Sequence, residues 1–429
     1  MYQLKVKVDV SQLQIGMYVA DLDRHLPNNP FPAQGFVIRT GEEIRKLNEL
    51  CEYVYIDRRR SSTSKAIQEY KDNKAEPEVV YSIDDLDINK PTEAKKILGK
   101  GKPLTEIPQP EPQNEFKDEL YKARKIYRRL FKEADKIYET VNDNTQPDLV
   151  PVLGILLEVL SSIQNNASAF EWLALTNPDD KSVRQHCINV CVLAMHFAYH
   201  IGLPDKYIRT LGMAGLTFDI GKLLISDSIL YKPSHLTDGE MSIMQKHTKA
   251  GADILEASNW ISPEVINVAL RHHEHLDGTG YPNQLKGEEI DLLSRIIRII
   301  DTYNAIISTR HHSARQPTSY ALNELYTLRD TVYDGDLVEA FIRVCGMYPV
   351  GTMVETHSGE IGFVVGNNMK SRLSPSVMLV RDAHNQPYQK EEIIDFATAV
   401  DKEGRPKYSV KQALNPSEFD INVKDFFRD

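Results

Sequence analysis

The first residues of the chain alternate between apolar and polar side chains. Four apolar residues recur at every second position from Leu4 to Val10, which predicts a half-buried strand. The apolar runs at 35–38 and 53–56 predict two more strands, separated by a helical stretch at 42–51. We therefore expect a small α+β module over residues 1–57.

Periodicity disappears after this module and then returns with a helical repeat. Residues 58–114 contain three arginines in a row, a serine-rich run and four closely spaced prolines, a composition typical of a flexible linker. Over residues 115–146, apolar residues from Leu120 to Ala134 recur at helical spacing between charges. This pattern predicts an amphipathic connecting helix that either packs on its own chain or forms a dimer.

Helical periodicity continues from residue 147 to about 345, with short breaks and no alternating strand signal. The predicted helices are 149–165, 182–201, 205–218, 238–257, 263–272, 293–308 and one from 320 onward. Apolar runs near 351–355, 360–365 and 377–380 then predict strands of a β-rich C-terminal extension, 346–429. The predicted fold is mainly α: a helical domain flanked by a small α+β module and a small β extension.

Net charge, the lengths of the apolar stretches and the cysteine pattern exclude some classes of function. A net charge of −10 argues against a nucleic-acid-binding surface, and no stretch approaches the length and apolarity of a membrane span. The N-terminus lacks the pattern of a signal peptide, so we expect a cytoplasmic protein that binds neither nucleic acid nor membrane. The four cysteines form no CxxC pair, and we expect Cys187 and Cys191 to be buried as small apolar residues.

Histidines cluster within the helical region. Ten of the thirteen fall between His186 and His312, and neutral imidazole is a common metal ligand. Singly, His186 and His247 are also compatible with hydrogen-bonded helix residues. The adjacent pair His272-His273 is harder to explain in that way, because neighbouring imidazoles reach one ion most easily at a helix end.

Two aspartates strengthen the prediction of a metal site. Asp219 and Asp301 each follow a mostly apolar stretch, which suggests burial, and an unpaired buried carboxylate is very costly. A metal ion would supply the countercharge. Nitrogen and oxygen ligands without thiolate suit iron, manganese or a similar divalent ion, and paired ions of this kind activate water for phosphodiester hydrolysis.

The motifs resemble those of the HD-GYP family, a branch of the HD phosphohydrolase superfamily. Residues 272–282, HHEHLDGTGYP, resemble its HHExxDGxGYP signature. Residues 218–222, FDIGK, resemble its HDIGK motif, and residues 295–305, RIIRIIDTYNA, resemble its RIxxxxDxYDA motif. The resemblance covers about residues 147–345, and the flanking modules resemble segments that often accompany this domain.

The resemblance implies an all-helical domain that binds one or two Fe or Mn ions and hydrolyses a cyclic dinucleotide, most often cyclic di-GMP. It implies that Asp219 bridges two ions, that Lys222 contacts a phosphate, and that the Gly278–Pro282 loop shapes the pocket and receives protein partners. The implied metal ligands are His186, Asp219, His247, His272, His273 and Asp301. The implied substrate-binding residues are Lys222, Gly278, Gly280, Tyr281, Pro282 and Arg310.

The most consequential departure from the family pattern is at position 218, and smaller ones are Asn304, where the family often has aspartate, and Ser313, near which it often has a basic residue. Phe218 stands where the HD histidine is expected, and phenylalanine cannot bind a metal. In the family, one ion uses Asp219, His247, His272 and His273, all present here, whereas the other keeps only His186, Asp219 and Asp301. Three hypotheses follow: an active cyclic dinucleotide phosphodiesterase, a degenerate domain that serves as a sensor or scaffold, and a phosphohydrolase of another substrate.

Overall fold

The structure is a computed structural model of the 429-residue chain. It describes residues 5–13, 17–22, 36–38, 40–51, 53–57, 112–143, 145–176, 182–258, 261–308, 316–368, 371–414, 419, 421 and 426. The predicted linker lies outside the described residues except at its last three positions. The chain forms two compact units, Met1–Ser82 and Ile83–Asp429. No helix in the described ranges is long and apolar enough to cross a membrane.

The first unit is a four-stranded antiparallel sheet with one helix. Its elements are β1 (Lys5–Asp9), β2 (Tyr18–Leu22), β3 (Phe36–Val37), α1 (Gly41–Leu50) and β4 (Tyr53–Asp57), and the strand order is β1-β4-β2-β3. Thr40 caps α1 with a reciprocal hydrogen-bond pair to Glu43. Leu47 of α1 is buried with Val54 and Ile56 of β4. The predicted α+β character of this module therefore appears in the described residues.

The second unit begins with helices, most of which contribute to one hydrophobic core. These are α2 (Phe116–Asn142), α3 (Val150–Thr176), α4 (Val183–His200), α5 (Asp205–Thr217), α6 (Asp227–Leu230), α7 (Asp238–Met244), α8 (His247–Ala257), α9 (Pro263–Arg271), α10 (Leu292–Ile307), α11 (Thr318–Thr327) and α12 (Gly335–Cys345). Short 3-10 segments at Ile220–Leu224 and Gly287–Glu289 connect some of them. The mainly α fold class is confirmed.

The long helix α2 packs on its own chain. Leu120, Ala123, Tyr127, Leu130 and Ala134, spaced on one face, are buried in the common core. Of the two roles predicted for this helix, packing is the one that the structure shows.

Some helix boundaries differ from the sequence prediction. Helix α3 continues to Thr176 past a kink at Asn166, whose backbone is non-helical. The predicted helix over 238–257 is instead two helices, because the Thr248 amide and hydroxyl both bond to the Gln245 carbonyl in a tighter turn. This break places His247 at the start of a helix.

A five-stranded antiparallel sheet follows the helices. Its strands are β5 (Met353–Thr356), β6 (Ile361–Gly366), β7 (Ser376–Arg381), β8 (Pro387–Asp395) and β9 (Val410–Leu414), in the order β8-β7-β6-β5-β9. The three predicted strands are present with two more. Phe363 of β6 contacts Trp172 of α3 edge to face, with ring centroids 6.2 Å apart, so one face of the sheet joins the helical core. The predicted boundary at residue 346 remains a prediction.

The helical core also contains a buried carboxyl group. Glu171 of α3 is 3% exposed, and its Oε2 lies 3.8 Å from Nδ1 of His196 on α4. Burial raises the pKa of Glu171 from its usual 4.5 to about 8 and lowers the pKa of His196 well below its usual value. Both side chains are therefore uncharged in the folded protein near neutral pH.

We expect the Glu171→Gln variant to be more stable than the natural protein at pH 8 but not at pH 5. Because the pKa is raised on folding, the unfolded chain ionises above about 4.5 while the folded one stays protonated to about 8. Stability is lost as pH rises through that window, and at pH 8 glutamine avoids a loss of about 4 kcal/mol. Denaturant unfolding at both pH values measures the difference in free energy of unfolding between the variant and the natural protein. The exposed Glu139→Gln is the control. An equal difference at both pH values would contradict the prediction.

Candidate metal centre

Four side chains of the helical domain meet at helix ends. Asp219 lies between α5 and the 3-10 segment Ile220–Leu224, and His247 is the first residue of α8. His272 ends α9, and His273 follows it. Within the described ranges these four form a group that could hold a metal ion, with ligand atoms all within 4.8 Å of one another.

Three of these side chains, those of Asp219, His247 and His272, lie closest to one another. Nε2 of His247 and Nε2 of His272 are 3.3 Å apart, and they lie 3.3 and 3.5 Å from Oδ1 of Asp219. All three residues are almost completely buried. Ligand atoms about 2.1 Å from one ion at tetrahedral angles are themselves roughly 3.4 Å apart, so this spacing fits one shared ion.

The hydrogen bonds behind the two imidazoles define which nitrogen of the neutral ring carries the proton. Nδ1 of His247 donates to the Met244 carbonyl at 2.7 Å, and Nδ1 of His272 donates to the carbonyls of Val268 and Ala269. Because a neutral imidazole carries one proton, each Nε2 turns a lone pair toward the centre. Oδ1 of Asp219 is also buried without a hydrogen-bond donor. Three acceptors converge, and a cation satisfies them all.

Lys222 neutralises the other oxygen of Asp219. Its Nζ bonds to Oδ2 at 2.6 Å. Burial would raise the pKa of Asp219, but the Lys222 ammonium beside it holds this pKa well below its usual value. Asp219 is therefore ionised, and only Oδ1 is directed at the histidines. For Asp219 to bridge two ions, as the resemblance implies, a second ion would have to bind beside the Lys222 ammonium.

His273 differs from the other two histidines. Its Nδ1 accepts a hydrogen bond from Nη1 of Arg298 at 3.2 Å, and its ring stacks on Tyr281 with centroids 4.7 Å apart. Burial lowers the pKa of His273 well below its usual value, with help from His272 and Arg298, so the ring is neutral. It can bind the same ion through Nε2 when its proton is on Nδ1, an arrangement that competes with the Arg298 bond.

His186 and Asp301 form a pair of their own. Nδ1 of His186 accepts from the Asn304 amide at 2.7 Å, so its Nε2 carries the proton and donates to Oδ1 of Asp301 at 2.8 Å. Burial would raise the pKa of Asp301, but this hydrogen bond holds it well below its usual value. Neither residue belongs to the four-residue group described above.

Phe218 fills the space between the two sets of ligands. Its side chain is fully buried, and its ring centroid lies 5.8 Å from that of His186 and 4.9 Å from that of His272. An apolar ring at this position offers no ligand to an ion on the His186 side.

The Gly278–Pro282 loop is held against the metal centre. Glu274 is buried, and its carboxylate accepts hydrogen bonds from the backbone amides of Asn283 and Leu285 at 2.7 and 3.0 Å. Gly280 is packed so closely that a Cβ atom would lie 2.5 Å from the His273 carbonyl oxygen. Arg310, the remaining residue of the implied substrate site, lies outside the described residues.

Three polar residues outside the predicted site organise this centre. Asn304 sets the His186 tautomer, and Glu274 fixes the loop. Arg298 joins His273 to His275, donating from Nη2 to Nε2 of His275 at 3.1 Å. A usable signal existed for Arg298, because it stands inside a buried apolar helix stretch one turn before Asp301, where an unpaired cation would be costly.

Comparisons with known proteins agree with this architecture. The family model described as "HD domain" matches residues 169–337, and that of a "Domain of unknown function (DUF3391)" matches residues 5–152. Residues 169–337 therefore form an HD domain, in which Phe218 stands where the HD motif has histidine.

Three relatives are similar to this chain. The chain is 28% identical over 396 residues to the cyclic di-GMP phosphodiesterase PA4108 of Pseudomonas aeruginosa, covering 92% of this chain and 89% of that protein. It is 36% identical to the cyclic di-GMP phosphodiesterase response regulator RpfG of Xanthomonas campestris, covering 35% of this chain and 42% of that protein. It is 38% identical to the 3'3'-cGAMP-specific phosphodiesterase 1 of Vibrio cholerae, covering 34% of this chain and 32% of that protein.

Proposed function

We propose that this protein is a metal-dependent phosphodiesterase that hydrolyses a cyclic dinucleotide, with cyclic di-GMP as the first candidate. The observation that carries the proposal is the buried convergence of Asp219, His247 and His272 on a point that needs a cation. Relatives named as cyclic di-GMP and 3'3'-cGAMP phosphodiesterases support the substrate class.

The residues around this point have distinct proposed roles. Asp219, His247 and His272 would hold a divalent ion, proposed as Fe or Mn from the nitrogen and oxygen donors. His273 would be a fourth ligand only after giving up its hydrogen bond from Arg298. Such an ion activates water and stabilises charge on phosphate oxygens. Lys222, which is 18% exposed, would contact a substrate phosphate beside the ion. The Gly278–Pro282 loop would form the wall on the His273 side.

A second candidate is a sensor or scaffold that binds a cyclic dinucleotide without turning it over. The observation in its favour is that Phe218 is buried where a ligand is expected while His186 and Asp301 bond to each other. A protein partner on the Gly278–Pro282 loop, a homodimer and a cytoplasmic location also remain proposals.

The deciding experiment uses the full chain purified without oxygen and loaded with Mn²⁺ or Fe²⁺. We expect chromatography to detect conversion of cyclic di-GMP, 3'3'-cGAMP or both to linear dinucleotide, and chelation to abolish it. Equilibrium binding of the same compounds is measured in parallel. Binding without turnover under either metal would favour the sensor, and neither binding nor turnover would reject both candidates.

A further inference from the structure

The side of the metal centre near His186 contains protein cations and paired carboxylates. Two carboxylates, Asp219 and Asp301, face two fixed positive charges, Lys222 and Arg298. Nζ of Lys222 bonds to Oδ2 of Asp219 at 2.6 Å, and Nη1 of Arg298 lies 4.0 Å from Oδ2 of Asp301. The two carboxylates and the two protein cations cancel before any ion binds. Each divalent ion then adds two uncompensated positive charges, so one ion is accommodated more easily than two.

Arg298 is built into this site. Its side chain is 17% exposed, and it donates to two neutral acceptors, Nδ1 of His273 and Nε2 of His275. His275 in turn bonds through Nδ1 to the Thr279 hydroxyl at 2.9 Å, so the guanidinium is fixed to the Gly278–Pro282 loop as well. A partly buried cation with neutral partners is compensated mainly by the nearest carboxylate, which is that of Asp301.

The other groups that could hold a second ion are already engaged. His186 donates to Asp301 through Nε2, and Asn304 bonds to its Nδ1, so this ring directs no lone pair at the space next to Phe218. Phe218 itself is fully buried. A second divalent ion would have to displace these bonds and approach both the Arg298 guanidinium and the first ion.

We propose that the guanidinium of Arg298 takes the electrostatic role of a second metal ion, so that the protein binds one ion per chain. Arg298 then supplies, together with Lys222, the positive charge that faces a substrate phosphate. The inference rests on the proposed metal site, but the ion count does not depend on the proposed substrate.

The test is the metal content of the full chain after anaerobic loading with Mn²⁺ and removal of free ion. We expect about one ion in the natural protein and in Phe218→His, because Arg298 remains in both, and a value approaching two in the double variant Phe218→His with Arg298→Ala. The matched control is Phe218→His with Arg295→Ala. Arg295 is on the same helix but pairs with Asp334 at 2.7 Å, so this variant should stay near one ion.

Near two ions in the natural protein or in Phe218→His alone would overturn the proposal, as would a double variant that stays at one. Electron paramagnetic resonance of the natural protein loaded with Mn²⁺ tests it without substitutions. Isolated ions are expected, and the spectrum of a coupled pair would contradict it. A one-ion protein without turnover would support this inference while rejecting the proposed function, and an active two-ion protein would do the reverse.

Discussion

Replacing Asp219 by asparagine is expected to reduce bound metal to a small fraction and to lower turnover of a cyclic dinucleotide by about a thousandfold or more. The amide has nearly the same shape as the carboxylate but lacks the negative charge that faces His247 and His272 at 3.3 and 3.5 Å. Loss of an ion removes several kcal/mol of stabilisation from the reacting phosphate, which corresponds to that loss of rate. Metal analysis and rate measurements on the same sample provide the test.

The control for this substitution is Asp227→Asn, the same exchange at an exposed position at the start of α6. It should leave both metal content and rate unchanged. Because Asp219→Asn also leaves Lys222 without its carboxylate, thermal unfolding in chelator shows whether the variant is folded. A folded variant that retains a full complement of metal would contradict the assignment of Asp219 as a ligand.

The ligand group could be anticipated from the sequence because its chemistry is local. His272-His273 lies at a helix end followed by glycines, and Asp219 follows an apolar helix that ends beside Gly221. Such features predict burial of polar groups, and buried polar groups need partners. The structure brings these residues together with His247.

The state of His186 and Asp301 could not be anticipated in the same way. They are 115 residues apart, and their pairing depends on Asn304, whose amide selects the tautomer of His186. A sequence motif gives the residue type at each position but not which atom carries the proton. Only the packing of α4 against α10 supplies that information.

Helical periodicity predicted most of the helices, but it did not predict where a helix is interrupted or which ionisable side chains are buried. No glycine or proline marks the turn at Gln245 in the sequence, and the turn depends on hydrogen bonds from Thr248. Glu171 stands within an apolar helix as an isolated carboxyl, and its burial follows from helices that pack around it. Tertiary packing outweighed local preference at both positions.

Gly221 lies where two elements of the metal centre come closest. It follows Asp219 in the 3-10 segment Ile220–Leu224, and its backbone packs on the first turn of α8, which begins with His247. A Cβ atom here would overlap the carbonyl oxygen of His247 and lie 2.5 Å from the backbone nitrogen of Gly251. Both are backbone atoms, so no side-chain rotation can relieve the contact.

We therefore expect Gly221→Ala to destabilise the protein by about 3 kcal/mol and to weaken metal binding at least tenfold, since separating the two segments moves Asp219 from His247. Denaturant unfolding and metal titration measure the two effects. Gly239→Ala is the matched control, because Gly239 lies in helix α7, where an added methyl group would have no atom within 4 Å, and this exchange should cost nothing or stabilise slightly. If the two alanine variants unfolded alike and bound metal equally, the close approach at Gly221 would have no role in positioning these ligands.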